Sequence, residues 1–204
     1  ASGTGNVRKW SMSKAVLISI RPEWCELIAS DEKTIEIRKT KPNLYVPFKA
    51  YIYCTKPKAG TDQLWILDRR IRPEYNGLSA VCANLENPSD SMIGNGKVIG
   101  EFVCNNIYEI EPAHAIETFI SEESCVSPRQ MHEYLKGRTG YGWSISDLKI
   151  YDQPEVLSTF SALRKCNSYK RCGHDSNACI WTGNCIVPAT IERPPQSWCY
   201  VEEM

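Results

Sequence analysis

The residues with the clearest capacity for chemistry form a short charged run near the start of the chain. Lys33, Glu36 and Arg38 fall within six residues of each other, in the sequence Asp31-Glu32-Lys33-Thr34-Ile35-Glu36-Ile37-Arg38. Two cations and a carboxylate held this close can bind a phosphate, orient a base or move a proton. We therefore take all three as candidate ligand-binding residues, and Lys33 and Glu36 as candidate catalytic residues. The alternative is an ion pair that only stabilises the fold.

The elements predicted around this run are a strand, a helix and a second strand. Residues 15–20 are continuously apolar except for Ser19, and Pro22 suits the first turn of the helix that follows. The second strand covers Thr34–Arg38. In a regular strand that includes Lys33, its side chain would lie on the face opposite Glu36 and Arg38. The three side chains can therefore converge only if the strand twists or begins after Lys33.

Two further residues are candidates for ligand contact. Arg21 precedes a proline, so its backbone should be extended and its side chain free to act as a second phosphate contact. The alternative for Arg21 is an interaction at the helix start. Trp143 follows a glycine turn and is a candidate for stacking on an unpaired base.

The remaining pattern predicts an α+β fold, a small, partly open mixed β-barrel with two or three short helices. Strands are expected at 49–54, 97–104, 107–110, 141–145, 148–151 and 198–201, and Gly100 is a candidate bulge. Ser127, Pro128 and Gln130 form a capping-box pattern that predicts a helix. Residues 63–70 are interpreted as a short helix.

The segment from Ile18 to Arg38 resembles the ASCH domain, a relative of the RNA-binding PUA domain. The family pattern Gly-x-Lys-x-x-Glu-x-Arg appears here as Asp31-x-Lys33-x-x-Glu36-x-Arg38. Asp in place of Gly should close the helix in a left-handed conformation, which Asp tolerates better than most residues. Residues 96–102, 141–148 and 193–201 also resemble segments of bacterial and phage-associated ASCH proteins, so the resemblance covers about residues 14–203.

This resemblance implies a β-barrel that binds RNA, or a modified nucleoside, in a basic cleft beside the signature strand. One branch of the family hydrolyses N4-acetylcytidine, but that branch has Thr at the position of Glu36. A nucleophilic hydroxyl is therefore missing here, and Glu36 could act only as a general base through a water. An amidohydrolase or a ribonuclease remains an alternative function, and whether the chain is an enzyme stays open.

A cluster of metal-ligand residue types occurs near the C-terminus. Tetrahedral zinc takes four Cys or His ligands, which makes a structural zinc site a candidate, although no cofactor is required by the proposed function. Free thiols and disulfides are the alternatives. Four ligands would come from Cys166, Cys172, His174, Cys179 and Cys185.

The formal net charge is zero, but the charge is unevenly distributed. Residues 33–58 carry seven cations and one carboxylate (+6), whereas residues 101–123 carry six carboxylates and no Lys or Arg (−6). The basic segment fits a polyanion such as RNA, and the acidic segment fits a protein partner of a phage or host interaction module. The alternative is two solvated faces that pair with each other.

Localisation and domain organisation follow from composition. The chain has no run of 18 apolar residues, so a membrane span is not expected, and ten cysteines without an export signal favour the cytoplasm. Residues 1–11 are interpreted as the remnant of an added leader or a disordered arm. Residues 12–160 are expected to form the barrel, 161–190 a Cys-rich insertion, and 191–204 a last strand that returns to the barrel.

Overall fold

The computed structural model describes residues 13–56, 63–67, 78–82, 93–111, 114, 116–165 and 186–204. The fold is α+β, as predicted. The helices are α1 (Pro22–Ala29), α2 (Thr118–Ser124) and α3 (Pro128–Leu135). The strands are β1 (Lys14–Ile20), β2 (Ile35–Arg38), β3 (Phe48–Cys54), β4 (Gln63–Leu67), β5 (Leu78–Cys82), β6 (Lys97–Cys104), β7 (Ile107–Ile110), β8 (Gly140–Ser144), β9 (Ser146–Val156), β10 (Ser161–Lys165), β11 (Ile186–Thr190) and β12 (Trp198–Glu202).

The described strands form one large mixed sheet and two smaller sheets. The large sheet has seven strands in the order β11-β10-β12-β1-β3-β6-β9. Its β1 and β3 are parallel, and the crossover between them contains α1 and β2. In the part of the chain that the structure describes, this strand order has two free ends, which agrees with an open sheet rather than a closed barrel. The smaller sheets have the orders β2-β8-β7 and β4-β5.

The core explains why β2 presents its charged side chains to one side. Ile35 and Ile37 are buried in an apolar cluster with residues of α2 and α3, among them Ile120, Met131 and Leu135. Burying each isoleucine stabilises the fold by about 1.5–3 kcal/mol, which fixes that face of the strand inward. Because side chains alternate along a strand, Glu36 and Arg38 must lie on the other face.

The backbone conformations of the residues before and after α1 fix both ends of this helix. Arg21 is extended (φ −74°, ψ 152°) and Pro22 opens α1, as predicted. Asp31 has φ 59°, which confirms the predicted left-handed conformation after the helix. The backbone N–H groups of Glu32 and Lys33 both donate to the Leu27 carbonyl at 2.9 Å, so the chain reverses tightly before β2.

The predicted start of α3 is also confirmed. The Ser127 hydroxyl accepts from the Gln130 N–H at 3.3 Å, and the Gln130 side chain accepts from the Ser127 N–H at 3.0 Å. This capping box satisfies two otherwise unpaired donors at the helix start. It fixes the position of a helix that supplies Gln130 and Tyr134 to the cavity described below.

Several expectations differ from the structure. Residues 63–67 form strand β4, so the predicted helix at 63–70 is wrong. The intrinsic helix propensity of so short a segment is small, and the pairing of β4 with β5 outweighs it. Helix α2 and strands β5, β10 and β11 were not predicted. Strands β10 and β11, at the two ends of the predicted insertion, belong to the large sheet, while residues 166–185 lie outside the described residues.

The charged segments pair in part with each other. Lys41 lies 3.6 Å from Glu109, and Lys49 lies 3.6 Å from Glu101. Both pairs are solvent-accessible, so each contributes little to stability. These contacts agree with the alternative in which the basic segment 33–58 and the acidic segment 101–123 pair with each other, at least at these two positions. Among the described helices, none has the length and apolar character needed to cross a bilayer.

Candidate functional site

Lys33, Glu36 and Arg38 come together in one buried charged group. The Lys33 Nζ lies 3.4 Å from Glu36 Oε2, and the Arg38 Nη2 lies 2.9 Å from Glu36 Oε1. The three converge because β2 begins at Ile35, two residues after Lys33, so Lys33 is not bound by the alternation of the strand. Of the two arrangements that would let the three side chains converge, the structure has the one in which the strand begins after Lys33.

Backbone carbonyls complete the environment of the two cations. Lys33 Nζ donates to the Ser124 carbonyl at 2.6 Å, and Arg38 Nη2 donates to the Ser19 carbonyl at 2.7 Å. Lys33, Glu36 and Arg38 are only 2%, 6% and 7% exposed. Removing such charges from water costs several kcal/mol per ion, and the contacts with these partners offset part of that cost. The group therefore links β2 to the end of α2 and to β1.

One donor in this group lacks a partner among the residues that the structure describes. Within these residues, Arg38 Nε is buried without an acceptor, and Nη1 makes a long contact of 3.4 Å to Ser197 Oγ. A buried N–H left unpaired is costly, so groups of this kind commonly bind water or a ligand. Since an arginine guanidinium can fork onto carbonyl or phosphate oxygens, Arg38 retains unused capacity to bind an acceptor.

The charged group lines a cavity of about 670 Å³. Its wall contains four cations and two carboxylates, a net charge of +2 (4 − 2). The wall is formed by the end of β1, the start of α1, β2, the end of β3, the turn before α3 and α3 itself. The charged lining residues are Arg21, Glu23, Lys33, Glu36, Arg38 and Lys56.

Arg21 lies at the mouth of this cavity, as the sequence indicated. Its side chain is 64% exposed, and its charged partner is Glu23 at 3.6 Å. An exposed pair of this kind is weak, so the guanidinium can turn to another anion at little cost. The structure thus brings Arg21, Lys33, Glu36 and Arg38 to a single cavity.

Two aromatic residues complete the lining. Trp24 stacks beneath Lys33, with Nζ 5.0 Å from the ring centroid. Tyr134 is 41% exposed and has Lys39 Nζ 4.6 Å from its ring. Burial raises the pKa of the Tyr134 hydroxyl, and the nearby Arg38 opposes this shift. Tyr134 was not among the candidate residues taken from the sequence, so its place in the cavity was missed. Its spacing of four residues from Gln130, which shares the wall, is the available signal.

The expectation that Trp143 stacks on a ligand is wrong in this structure. Trp143 is fully buried, with its ring edge-on to Phe48 at a centroid distance of 5.7 Å. Strand β8 lies between β2 and β7, and the face that carries Trp143 points into the main core rather than to solvent. Its indole N–H is buried without a partner, but no ring face is open to a base.

The candidate zinc ligands cannot be placed. Cys166, Cys172, His174, Cys179 and Cys185 all lie outside the described residues. Within the described ranges, no three Cys, His, Asp or Glu side chains are grouped so that they could hold a metal. Cys25, Cys54, Cys104, Cys125 and Cys199 are free thiols.

Comparison with known proteins gives similarity only at the level of solved structures. No family model matches the chain, and no curated protein sequence matches it. A crystal structure of ASCH from Zymomonas mobilis is similar over 91% of this chain and 86% of its own, at 18% identity and a TM-score of 0.48.

Two structures of point variants from Zymomonas mobilis give similar values. One matches at 16% identity, with 91% and 87% of the two chains covered and a TM-score of 0.48. The other matches at 18% identity, with 92% and 90% covered and a TM-score of 0.45. At these values no residue role and no activity passes from those proteins to this chain. These three structures are all of ASCH from Zymomonas mobilis.

Proposed function

We propose that the cavity beside β2 binds a ribonucleotide unit, either within an RNA strand or as a modified nucleoside. The observation that carries this proposal is the buried Arg38, which lines a cavity of about 670 Å³ and whose Nε donor has no acceptor in the described part of the chain. Pockets of about 300–1,000 Å³ hold small organic ligands, so a base with its sugar fits this space.

The lining offers the contacts that a nucleotide needs. Arg38 supplies a buried donor for a base carbonyl or a phosphate oxygen, and Arg21 supplies an exposed cation at the mouth. Trp24 and Tyr134 provide aromatic surface on which an unpaired base can stack. The net charge of +2 in the lining favours an anionic ligand.

The position of Glu36 favours binding over hydrolysis. Both of its carboxylate oxygens are engaged by cations, at 3.4 Å from Lys33 and 2.9 Å from Arg38. A general base needs a free lone pair aimed at a water, and these contacts compete for it. Hydrolysis of RNA or of an acylated nucleoside remains a second candidate, because a lysine–carboxylate pair lines the cavity.

Fluorescence anisotropy with a labelled single-stranded RNA tests the proposal. Arg21→Ala should weaken binding about three- to tenfold and reduce its salt dependence, because one phosphate contact is lost. Arg129→Ala is the matched control, since Arg129 is an exposed cation on α3 that pairs with Glu133 and does not line the cavity as the described residues form it. Equal affinities for wild type, Arg21→Ala and Arg129→Ala would reject the cavity as the binding site. Product formation from RNA or N4-acetylcytidine, lost in Lys33→Ala, would instead support the enzyme.

A further inference from the structure

The segment between β2 and β3 exposes aromatic and cationic side chains next to the cavity. Residues 39–47 contain Lys39 and Lys41 and no carboxylate. Tyr45 is 98% exposed and the neighbouring Val46 is 42% exposed, although large apolar side chains at such exposure cost solvation free energy. Tyr141 of β8 and Trp198 and Tyr200 of β12 add aromatic rings that are partly exposed and also pack against the main core. We call this surface the aromatic strip and define it as Lys39, Lys41, Tyr45, Tyr141, Trp198 and Tyr200.

Two hydrogen bonds and a ring contact connect the segment 39–47 with the aromatic residues of β12. The Trp198 indole N–H donates to Thr40 Oγ1 at 3.0 Å, and the Asn43 N–H donates to the Tyr200 hydroxyl at 2.7 Å. The Trp198 and Tyr200 rings meet edge-on at a centroid distance of 5.4 Å. The segment 39–47 is therefore attached to β12 at Thr40 and Asn43, and the Trp198 and Tyr200 rings are held in position before any ligand arrives.

The strip begins at the cavity. Arg38 contacts Ser197, the residue before Trp198, and Lys39 lies over Tyr134 at the cavity wall. Lys41 lies 4.9 Å from the centre of the Tyr141 ring, so the strip contains a second cation–aromatic pair. Next to the cavity, therefore, Lys39 and Lys41 each lie over an aromatic ring.

We propose that the aromatic strip binds the single-stranded RNA that continues from the nucleotide in the cavity. This inference rests on the proposed function of the cavity. Unpaired bases stack on aromatic rings whatever their identity, while neighbouring lysines neutralise the phosphates. The bases of a duplex are stacked on each other and cannot use these rings. The surface pair of Lys41 with Glu109 at 3.6 Å is weak enough to be exchanged for a phosphate contact.

The test compares a dinucleotide with a ten-nucleotide RNA that lacks self-complementarity. Wild type should bind the longer RNA at least tenfold more tightly, because compact single-strand-binding domains contact about four or more nucleotides. Tyr45→Ala and Lys41→Ala should each weaken binding of the longer RNA, the tyrosine change by about fivefold or more, and leave the dinucleotide unaffected. Removing Tyr45 should not harm folding, because its side chain is almost fully exposed.

Lys149→Ala on the edge strand β9 is the matched control, since this exposed lysine is outside the strip. Unchanged affinity of the Tyr45→Ala, Lys41→Ala double variant for the ten-nucleotide RNA would overturn the strip proposal. The same conclusion follows if the longer RNA binds no more tightly than the dinucleotide. Failure of the cavity gives a different pattern: the ten-nucleotide RNA would bind with dependence on Tyr45 but not on Arg21, which upholds the strip alone.

Discussion

The guanidinium of Arg38 lies 2.9 Å from the carboxylate of Glu36, and both side chains are more than nine-tenths buried. This contact joins residues two positions apart on one strand, on the face opposite Ile35 and Ile37. It fixes the guanidinium with its Nη2 turned to Glu36 and Ser19, while Nε stays unpaired. The ion pair and the ligand-binding capacity of the cavity therefore depend on the same side chain.

Glu36→Gln should destabilise the protein by about 3 kcal/mol, because it leaves the buried Lys33 and Arg38 without a compensating charge. Urea unfolding measures this change. Glu133→Gln is the matched control: its partner Arg129 is 90% exposed, so the expected loss is below about 1 kcal/mol. If the two variants are equally stable, the buried group contributes nothing as an ion pair.

Asp31→Ala should lower the free energy of unfolding by about 1 kcal/mol, because alanine is strained at φ 59°. Asp31→Gly should be at least as stable as wild type, since glycine adopts this conformation without strain. Thermal unfolding of both variants gives the comparison. A glycine variant less stable than the alanine variant would contradict the left-handed turn before Lys33.

Gly100→Ala should destabilise the large sheet by about 1–3 kcal/mol. A Cβ at this position would lie 2.5 Å from the Lys149 carbonyl oxygen and 3.1 Å from the Ile150 Cα, both of which belong to the backbone of β9. The register of β6 against β9 shifts next to Gly100, in agreement with the predicted bulge. Wild-type stability of this variant in urea would show that the two strands can separate freely there.

Alkaline pH should destabilise the protein through Cys104. Burial raises the pKa of this thiol from 9.0 to about 11, while contacts with Ser144 and Asn106 oppose the shift. The folded state holds the proton more tightly than the unfolded chain, so this contribution is complete below pH 9 and is lost as pH rises to about 11. This difference in pKa between the unfolded and the folded state corresponds to about 2–3 kcal/mol of unfolding free energy.

Cys104→Ala isolates this effect from the other groups that titrate at high pH. Urea unfolding between pH 8 and pH 11 should show a smaller loss of stability in the variant than in wild type. Parallel pH dependences for the two proteins would mean that Cys104 ionises as easily in the folded state as in the unfolded chain.

Local rules were enough to predict the frame of the site. The Arg21-Pro22 helix start and the Ser127 capping box each depend on one or two neighbouring residues, and each was predicted from them. The strand of alternating Ile and charged residues was predicted in the same way. Such features are decided before tertiary packing, so sequence alone reveals them. The left-handed conformation of Asp31 was expected from the family pattern, which has Gly at that position.

The burial of Trp143 and the position of Tyr134 at the cavity could not be predicted from the sequence, because both depend on which elements pack together. Trp143 was expected beside a glycine turn, but it lies within β8 (Gly140–Ser144), which is placed between β2 and β7 and carries it into the core. Tyr134 follows the helical period of Met131 and Leu135, yet it lies partly exposed at the cavity. Which residues share a strand face or helix face is readable from spacing, whereas the partner that covers the face is not.

The account is tested most directly by following the Arg38 Nε–H signal in nitrogen-15 NMR spectra while a ribonucleoside monophosphate is added. Arg38→Lys assigns the signal by its loss. The account predicts a saturable shift of the Arg38 signal that follows nucleotide binding, because the unpaired Nε acquires an acceptor. Binding that leaves the Arg38 signal in place, or no binding at millimolar nucleotide, would contradict the proposed cavity site.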